Sequence, residues 1–336
     1  MRIGLSAVVI ALRDRQAVVL TTHASDGAAA LPFGPFDPAR DRTFELALRA
    51  FVTEQTGFPL GFVEQLYTFG DAGRASPRAT PGPERAREVS VGYLALTAEA
   101  PDAPGFASGR DAAWTPVFDI FPWEDWRQGR PAVLASLRSD LADWAGDDPA
   151  RRGRAESLFA LSPDARWNEE RVLERYELLY EAGLVAESAR DHDRPIPAPL
   201  GDLSMTSDHR RIVATGLGRL RSKLKYRPVL FDLTPPTFTL SALQNAAEAV
   251  AGLSLHKQNF RRGVERTGLV QPTGVFASDT GGRPAELFRY IGPEPSGGAP
   301  LDWPFPDSVE APVDFLRHTA CSPARLSLER PLAQPH

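Results

Sequence analysis

Apolar positions change their period several times along the chain. Arg2–Ala11 and Gln16–Thr22 are short runs rich in β-branched residues around Arg13–Asp14–Arg15, a pattern of two strands and a turn. The Pro- and Gly-rich LPFGPFDPARDR then opens into TFELALRAFVTEQTG. There Phe44, Leu48 and Phe51 recur at helical spacing, and Gly57 stands where the helix would close. Two more strands are expected around Phe62–Phe69 and Val89–Thr97, joined by a Pro/Arg-rich loop over Gly70–Arg87. The aromatic stretch Trp114–Trp126 closes an α/β region.

A helical section follows. Leu134, Leu137, Leu141 and Trp144 form one stripe after Pro131, a favoured first helical residue. Leu173, Tyr176 and Tyr180 form another over Glu169–Ala182, which Gly183 ends. DHDRPIPAPLGD has no apolar repeat and reads as a linker, with a boundary near Leu203. Beyond it, Val213, Leu217, Leu220 and Leu224 mark a helix, and RPVLFDL reads as a short strand. Thr239 can N-cap a helix burying Leu240, Leu243, Ala247 and Val250, and Gly252 and Ser254 make a turn into LHKQNFRRGVERTG. LVQPTG and AELFRY make a hairpin around Gly281–Gly282–Arg283–Pro284, and the Pro-rich 293–336 is expected to be an extended, partly disordered tail. The organisation expected is an α/β domain at 1–128, helices and linker at 129–202, an α+β unit at 203–292, and the tail.

Composition narrows the function. A chain of 336 residues exceeds one ordinary core, which favours two domains. The N-terminal apolar run is too short to span a membrane and no small-residue cleavage site follows it, so a cytoplasmic protein is expected. A single cysteine, Cys321, excludes an intrachain disulfide and a Cys-based zinc site. The formal charge is −5, yet His209–Val270 holds eight Arg and three Lys against Asp232, Glu248 and Glu265, a local +8. Such asymmetry points to a polyanionic partner.

The stretch 255–268 sharpens that. At about 100° per residue from Lys257, Phe260 and Val264 fall together as a buried stripe. Gln258, Asn259, Arg262 and Arg266 lie opposite, with Arg261 on the flank. Guanidinium and amide groups make paired hydrogen bonds with guanine and adenine edges. A helix, a tight turn, a basic helix and a hairpin with Arg283 at its loop follow the order of a winged helix-turn-helix. The DNA-contacting candidates are Lys257, Gln258, Asn259, Arg261, Arg262, Arg266 and Arg283. Lys223 and Lys225, with Arg219 and Arg221, are candidates for positioning phosphate contacts.

The segment from LPFGPF to VTEQTGF resembles the Nudix box, whose glutamates hold the divalent ions that activate water against a pyrophosphate bond. Aligned from Gly57, its REUxEE part (U aliphatic) reads Ala50, Phe51, Val52, Thr53, Glu54, Gln55, so Glu54 alone keeps a carboxylate. The glycine pair is reduced to Phe33–Gly34, and the spacing to Gly57 is two residues longer than usual. With VEQLYTFGD, LHKQNFRR, GGRPAELFRY, LERYELLYEAGLV and RLRSKLKYRP, the chain to about Tyr290 resembles the Nudix-related repressors of bacterial NAD metabolism, the NrtR- and NadQ-like regulators. The resemblance implies a homodimer whose winged helices hold a palindromic duplex operator. It also implies a catalytically dead Nudix domain that senses ADP-ribose, NAD or ATP, with no required cofactor or metal. For that effector, Arg49, Arg74 and Arg87 are candidates for the pyrophosphate and Tyr93 or Phe69 for stacking on adenine. Glu64 and Gln65 are expected to line the same cleft. The alternatives are an active pyrophosphohydrolase of ADP-ribose or a related dinucleotide, and an RNA-binding Nudix protein. The scarcity of aromatics near Arg262 disfavours single-strand stacking.

Overall fold

The computed structural model describes residues 2–24, 28–61, 63–70, 88–98, 112–162, 165–198, 200–277 and 284–292. Arg74, Arg87, Arg283, Cys321 and the tail 293–336 lie outside them.

The first two apolar runs pair as strands β1 (Arg2–Arg13) and β2 (Gln16–His23). Asp14 and Arg15 join them with φ of 49° and 62°, a two-residue turn whose twist matches the strands. β3 (Ala29–Ala30), β4 (Phe33–Pro35), β5 (Val63–Phe69), β6 (Glu88–Leu96) and β7 (Ala112–Pro116) complete a mixed sheet. Its order is β3-β2-β1-β6-β5, with β4 added to β1 and β7 to β2, and β1 runs parallel to β6. β1 is apolar without alternation because both its faces are covered. Leu5, Ala7 and Val9 face helix α1 (Phe44–Thr56), while Val8 and Ile10 join the core on the other side.

The helix expected around Phe44 forms as α1. Thr43 accepts from the Leu46 N–H at its start, and Gly57 closes it at φ 73°. The Leu134 stripe is α3 (Val133–Ala145), after the short α2 (Val117–Ile120). α4 (Pro149–Phe159) and α6 (Ala186–Asp191) were not anticipated. The Tyr176 stripe is α5 (Val172–Glu181), which starts three residues later than expected. Leu134, Leu137, Leu141, Tyr176 and Leu179 all bury into the chain's own core, so these stripes need no second subunit.

α7 (His209–Leu224) departs most from expectation. Its stripe suggested the opening helix of the C-terminal unit, but α7 lies across β1, β5 and β6 and packs along α5. Gly216 permits the approach: a Cβ there would sit 3.1 Å from a Val8 methyl. RPVLFDL is also corrected. Residues Val229–Leu233 form a 3-10 turn that buries Leu230 and Leu233. The strand of this region is β8 (Thr237–Thr239).

α8 (Leu240–Ala251) begins as expected, with Thr239 accepting from the Ala242 N–H, and ends at Gly252 with φ 72°. α9 (Lys257–Thr267) follows, then β9 (Val270–Ala277) and β10 (Ala285–Tyr290). The second sheet has the order β8-β10-β9. Its helices share the large core with the first sheet: Leu243, Val250, Phe260 and Val264 belong to the same buried cluster as Val8 and Leu217.

Candidate nucleic-acid interface and effector cleft

Burial along α9 follows its sequence pattern. Phe260, Gly263 and Val264 are buried, while Lys257, Gln258, Asn259, Arg261, Arg262, Glu265 and Arg266 are exposed. Among the described residues, no side-chain hydrogen bond or ion pair occupies Lys257, Gln258, Asn259, Arg261 or Arg262. Five polar side chains on one helix are therefore available to an external partner. Behind them the turn into α9 is held firmly. Gln244 donates to Glu248 and to the Leu255 carbonyl, both at 2.9 Å, and the Glu248 carboxylate accepts from the Leu255 N–H at 2.9 Å. Sequence reasoning missed this pair because nothing local marks Gln244 as anything but a helix-face residue. It also missed the wing pair Arg289–Gln271 (2.8 Å), both exposed beside α9.

The cations of α7 behave oppositely. Arg221 is fully buried and donates to Glu124 at 2.5 Å, to the Glu169 carbonyl at 2.9 Å, and to the Val250 carbonyl of α8 at 2.9 Å. Glu124, itself buried, also takes a bidentate pair from Arg175 at 2.6 and 2.9 Å, and that guanidinium lies 3.8 Å from the centre of the Trp167 ring. Burial lowers the Arg221 pKa, opposed by the charge of Glu124, and neighbouring Arg175 adds to the lowering. Lys223 pairs with Glu64, and Lys225 with Glu169 (2.9 Å) and Glu170 (2.6 Å). Arg221, Lys223 and Lys225 thus serve the interior and not phosphate; Arg219 alone of the four is exposed. The same elements fix α8 to the body. The Trp126 N–H donates to the Gly252 carbonyl at 2.7 Å, and a Cβ at Gly252 would lie 2.3 Å from the Glu124 carbonyl oxygen.

On α1, the Nudix-box positions have become structural. Gln55 accepts from the Phe33 N–H at 3.2 Å and donates to the Phe33 carbonyl at 2.6 Å, tying α1 to β4. The Phe51 ring packs on Gly34, where a Cβ would be only 3.0 Å away. Glu54 is exposed. Among the described residues no three acidic, His or Cys side chains gather as a metal site. Arg49 pairs with Glu45 at 2.7 Å and donates to the Leu60 carbonyl.

The effector candidates divide. Tyr93 lies on the α1 side, where burial and then Glu45 raise its phenol pKa, and its register partner Gln65 shares that side of the pleat. Phe69 belongs to the core on the α7 side, under the Arg211 guanidinium at 5.5 Å, and Glu64 reaches Lys223 on α7. Strand alternation therefore separates Glu64 from Gln65 and Phe69 from Tyr93, which corrects the expectation of a single cleft. Arg49, Gln65 and Tyr93 remain on one side. A residue unmarked by any motif stands behind β4: the His209 Nδ1 accepts from the Leu31 N–H at 3.0 Å. Burial, and then Arg190, lower its pKa to about 4.

Residues 230–290 match the NrtR DNA-binding winged helix domain, a segment that begins after α7. Over 110 residues the chain is 34% identical to the ADPR responsive transcriptional repressor NtrR of Acinetobacter baylyi, a match covering 33% of this chain and 41% of that relative. The chain thus spans about two-fifths of the length of the curated relative it matches. The crystal structure of Shewanella oneidensis NrtR complexed with a 27mer DNA is similar over 86% of this chain and 93% of that one, with TM-score 0.52 and 22% identity. A further crystal structure of Shewanella oneidensis NrtR is similar with TM-score 0.51 and 20% identity, over 87% of this chain and 94% of that one. The fold is accordingly a Nudix-like α/β N-terminal part followed by a winged helix.

Proposed function

From a chain that carries an NrtR-type winged helix on a Nudix-like body, we propose a DNA-binding transcriptional repressor of NAD biosynthesis or salvage genes, controlled by an adenine nucleotide. The observation that carries this reading is the exposed face of α9, where Lys257, Gln258, Asn259, Arg261 and Arg262 have no internal partner among the described residues. In this reading Arg262 and Asn259 read base edges in the major groove. Lys257 and Arg261 hold phosphates and set register. Arg266 completes the helix face, and Arg283, outside the described residues, is a further candidate for a backbone contact.

The effector of this reading is ADP-ribose, which the name of the Acinetobacter relative supports, with NAD and ATP as competitors for the same cleft. Arg49, Gln65 and Tyr93 contact it on the α1 side; Arg74 and Arg87, outside the described residues, are further candidates for its pyrophosphate. The protein acts as a cytoplasmic homodimer on a palindromic operator and performs no hydrolysis. Supporting this last point, Phe51 and Gln55 occupy two of the three positions that need carboxylates, and both are committed to packing on β4.

Operator binding measured at several salt concentrations, with and without ADP-ribose, NAD and ATP, tests the reading. Affinity falls with a log–log slope of about −0.9 for each phosphate neutralised, and one nucleotide shifts it. AMP release from ADP-ribose in magnesium, abolished by Glu54→Gln, would instead establish the hydrolase.

A further inference from the structure

A cavity of about 840 Å³ lies where the sheet body meets the winged unit. Glu64 of β5 and Lys223 of α7 line it from the body, with Arg227, Phe231, Asp232 and Tyr290 completing the lining. The volume is that of a small-molecule site, and such sites favour junctions between domains.

The lining has a specific chemistry. The Phe231 and Tyr290 rings stack at 4.2 Å with an interplanar angle of 22°, so Tyr290 has one face covered and is still partly exposed. Lys223 is already neutralised by Glu64. Among the described residues Arg227 and Asp232 have no hydrogen bond or ion pair through their side chains. Burial raises the Asp232 carboxyl, opposed by Lys223, as expected of an acceptor without a donor. The cavity thus offers an aromatic face, one unspent guanidinium and one unspent carboxylate.

We propose that this junction cavity is a binding site, separate from the cleft beside α1, for a ligand joining an amino-substituted heteroaromatic ring to one anionic group, of the nucleoside monophosphate class. The ring stacks against Tyr290, its amino group donates to Asp232, and the phosphate pairs with Arg227. Lys223 is spent on Glu64, so Arg227 is the single available cation and Asp232 opposes further negative charge; the site therefore prefers a single phosphate to a polyphosphate. Because β5, α7 and the winged unit all line it, an occupant touches both the sheet body and the winged unit. The proposal goes beyond the repressor reading, and ligand binding here is measurable without DNA.

Titration calorimetry of the full chain with AMP tests it, repeated in an Arg49→Ala background to remove the contribution of the α1 cleft. The expected result is a saturable site that survives Arg49→Ala and weakens at least tenfold with either Arg227→Ala or Asp232→Asn. Adenosine and ATP bind it at least tenfold less well than AMP. Unchanged thermal unfolding of both variants shows that the loss is local. The proposal is overturned if no AMP site survives Arg49→Ala, if the surviving site ignores both substitutions, or if ATP binds it as well as AMP.

Discussion

α7 and α9 are both basic amphipathic helices, and their cations have opposite fates. Arg210, Arg221 and Lys223 of α7 are buried and face Glu187, Asp202, Glu124 and Glu64, acids contributed by other parts of the chain. Lys257, Arg261 and Arg262 of α9 are exposed, and among the described residues no ion pair engages them. A local excess of +8 is therefore two quantities: charge neutralised from a distance, and charge left for a partner. The difference also separates stability from recognition. A buried cation is worth little net, but removing it strands its partner. An exposed one contributes to stability hardly at all.

The sharpest way to break this comparison is Arg221→Ala. It leaves Glu124 with Arg175 alone and removes a donor from the end of α8, at an expected cost of about 3–5 kcal/mol in denaturant unfolding. A cost near zero would place Arg221 with the α9 arginines.

The next largest effect is on pH. Burial, and then the charge of Arg190, lower the His209 pKa from 6.5 to about 4, and the neutral ring accepts from the Leu31 N–H through Nδ1. Between those values the unfolded chain binds the proton and the folded chain does not, so stability is fully present above pH 6.5 and is lost as pH falls toward 4. The loss is about 3 kcal/mol, from 1.36 kcal/mol per pKa unit. Unfolding free energy measured from pH 7.5 to 4 should show this slope, and His209→Gln should flatten it.

Arg262→Ala supplies the opposite pole. Unfolding should change by less than about 0.5 kcal/mol. Specific operator binding should weaken by about 1–3 kcal/mol in a gel-shift titration, with sequence preference relaxed. Loss of stability without loss of specificity would refute the reading face. The smallest effect is Thr239→Ala, which removes the cap of α8 and costs about 1 kcal/mol of stability by thermal unfolding.

Much of the local architecture was legible because its causes are local. A Thr beside a free helix N–H, a Gly at φ near 70° and an apolar repeat at 3.6 residues all act within a few positions. α1, α3, α8 and α9 therefore appear close to where the pattern puts them. The hairpin at Asp14–Arg15 follows for the same reason. RPVLFDL was misread because Leu230 and Leu233, three apart, suit a 3-10 turn as well as a buried strand. Glu64 and Phe69 could be named as strand residues, but which face each joins depends on register and on the irregularity between Gln65 and Thr68.

The chain by itself determined α1, α3, α8, α9 and the first hairpin, the composition of the α9 face and the loss of carboxylates from the Nudix-type helix, since these depend only on residue identity and short-range geometry. Tertiary structure alone decided that α7 belongs under the sheet, that its cations meet Glu64 and Glu124, and that Phe231, Asp232, Arg227 and Tyr290 enclose a cavity with Lys223. An apolar stripe says that a helix must be covered; only the packed chain says by what, because the covering residues come from elements far along the chain, such as β1, β5 and β6.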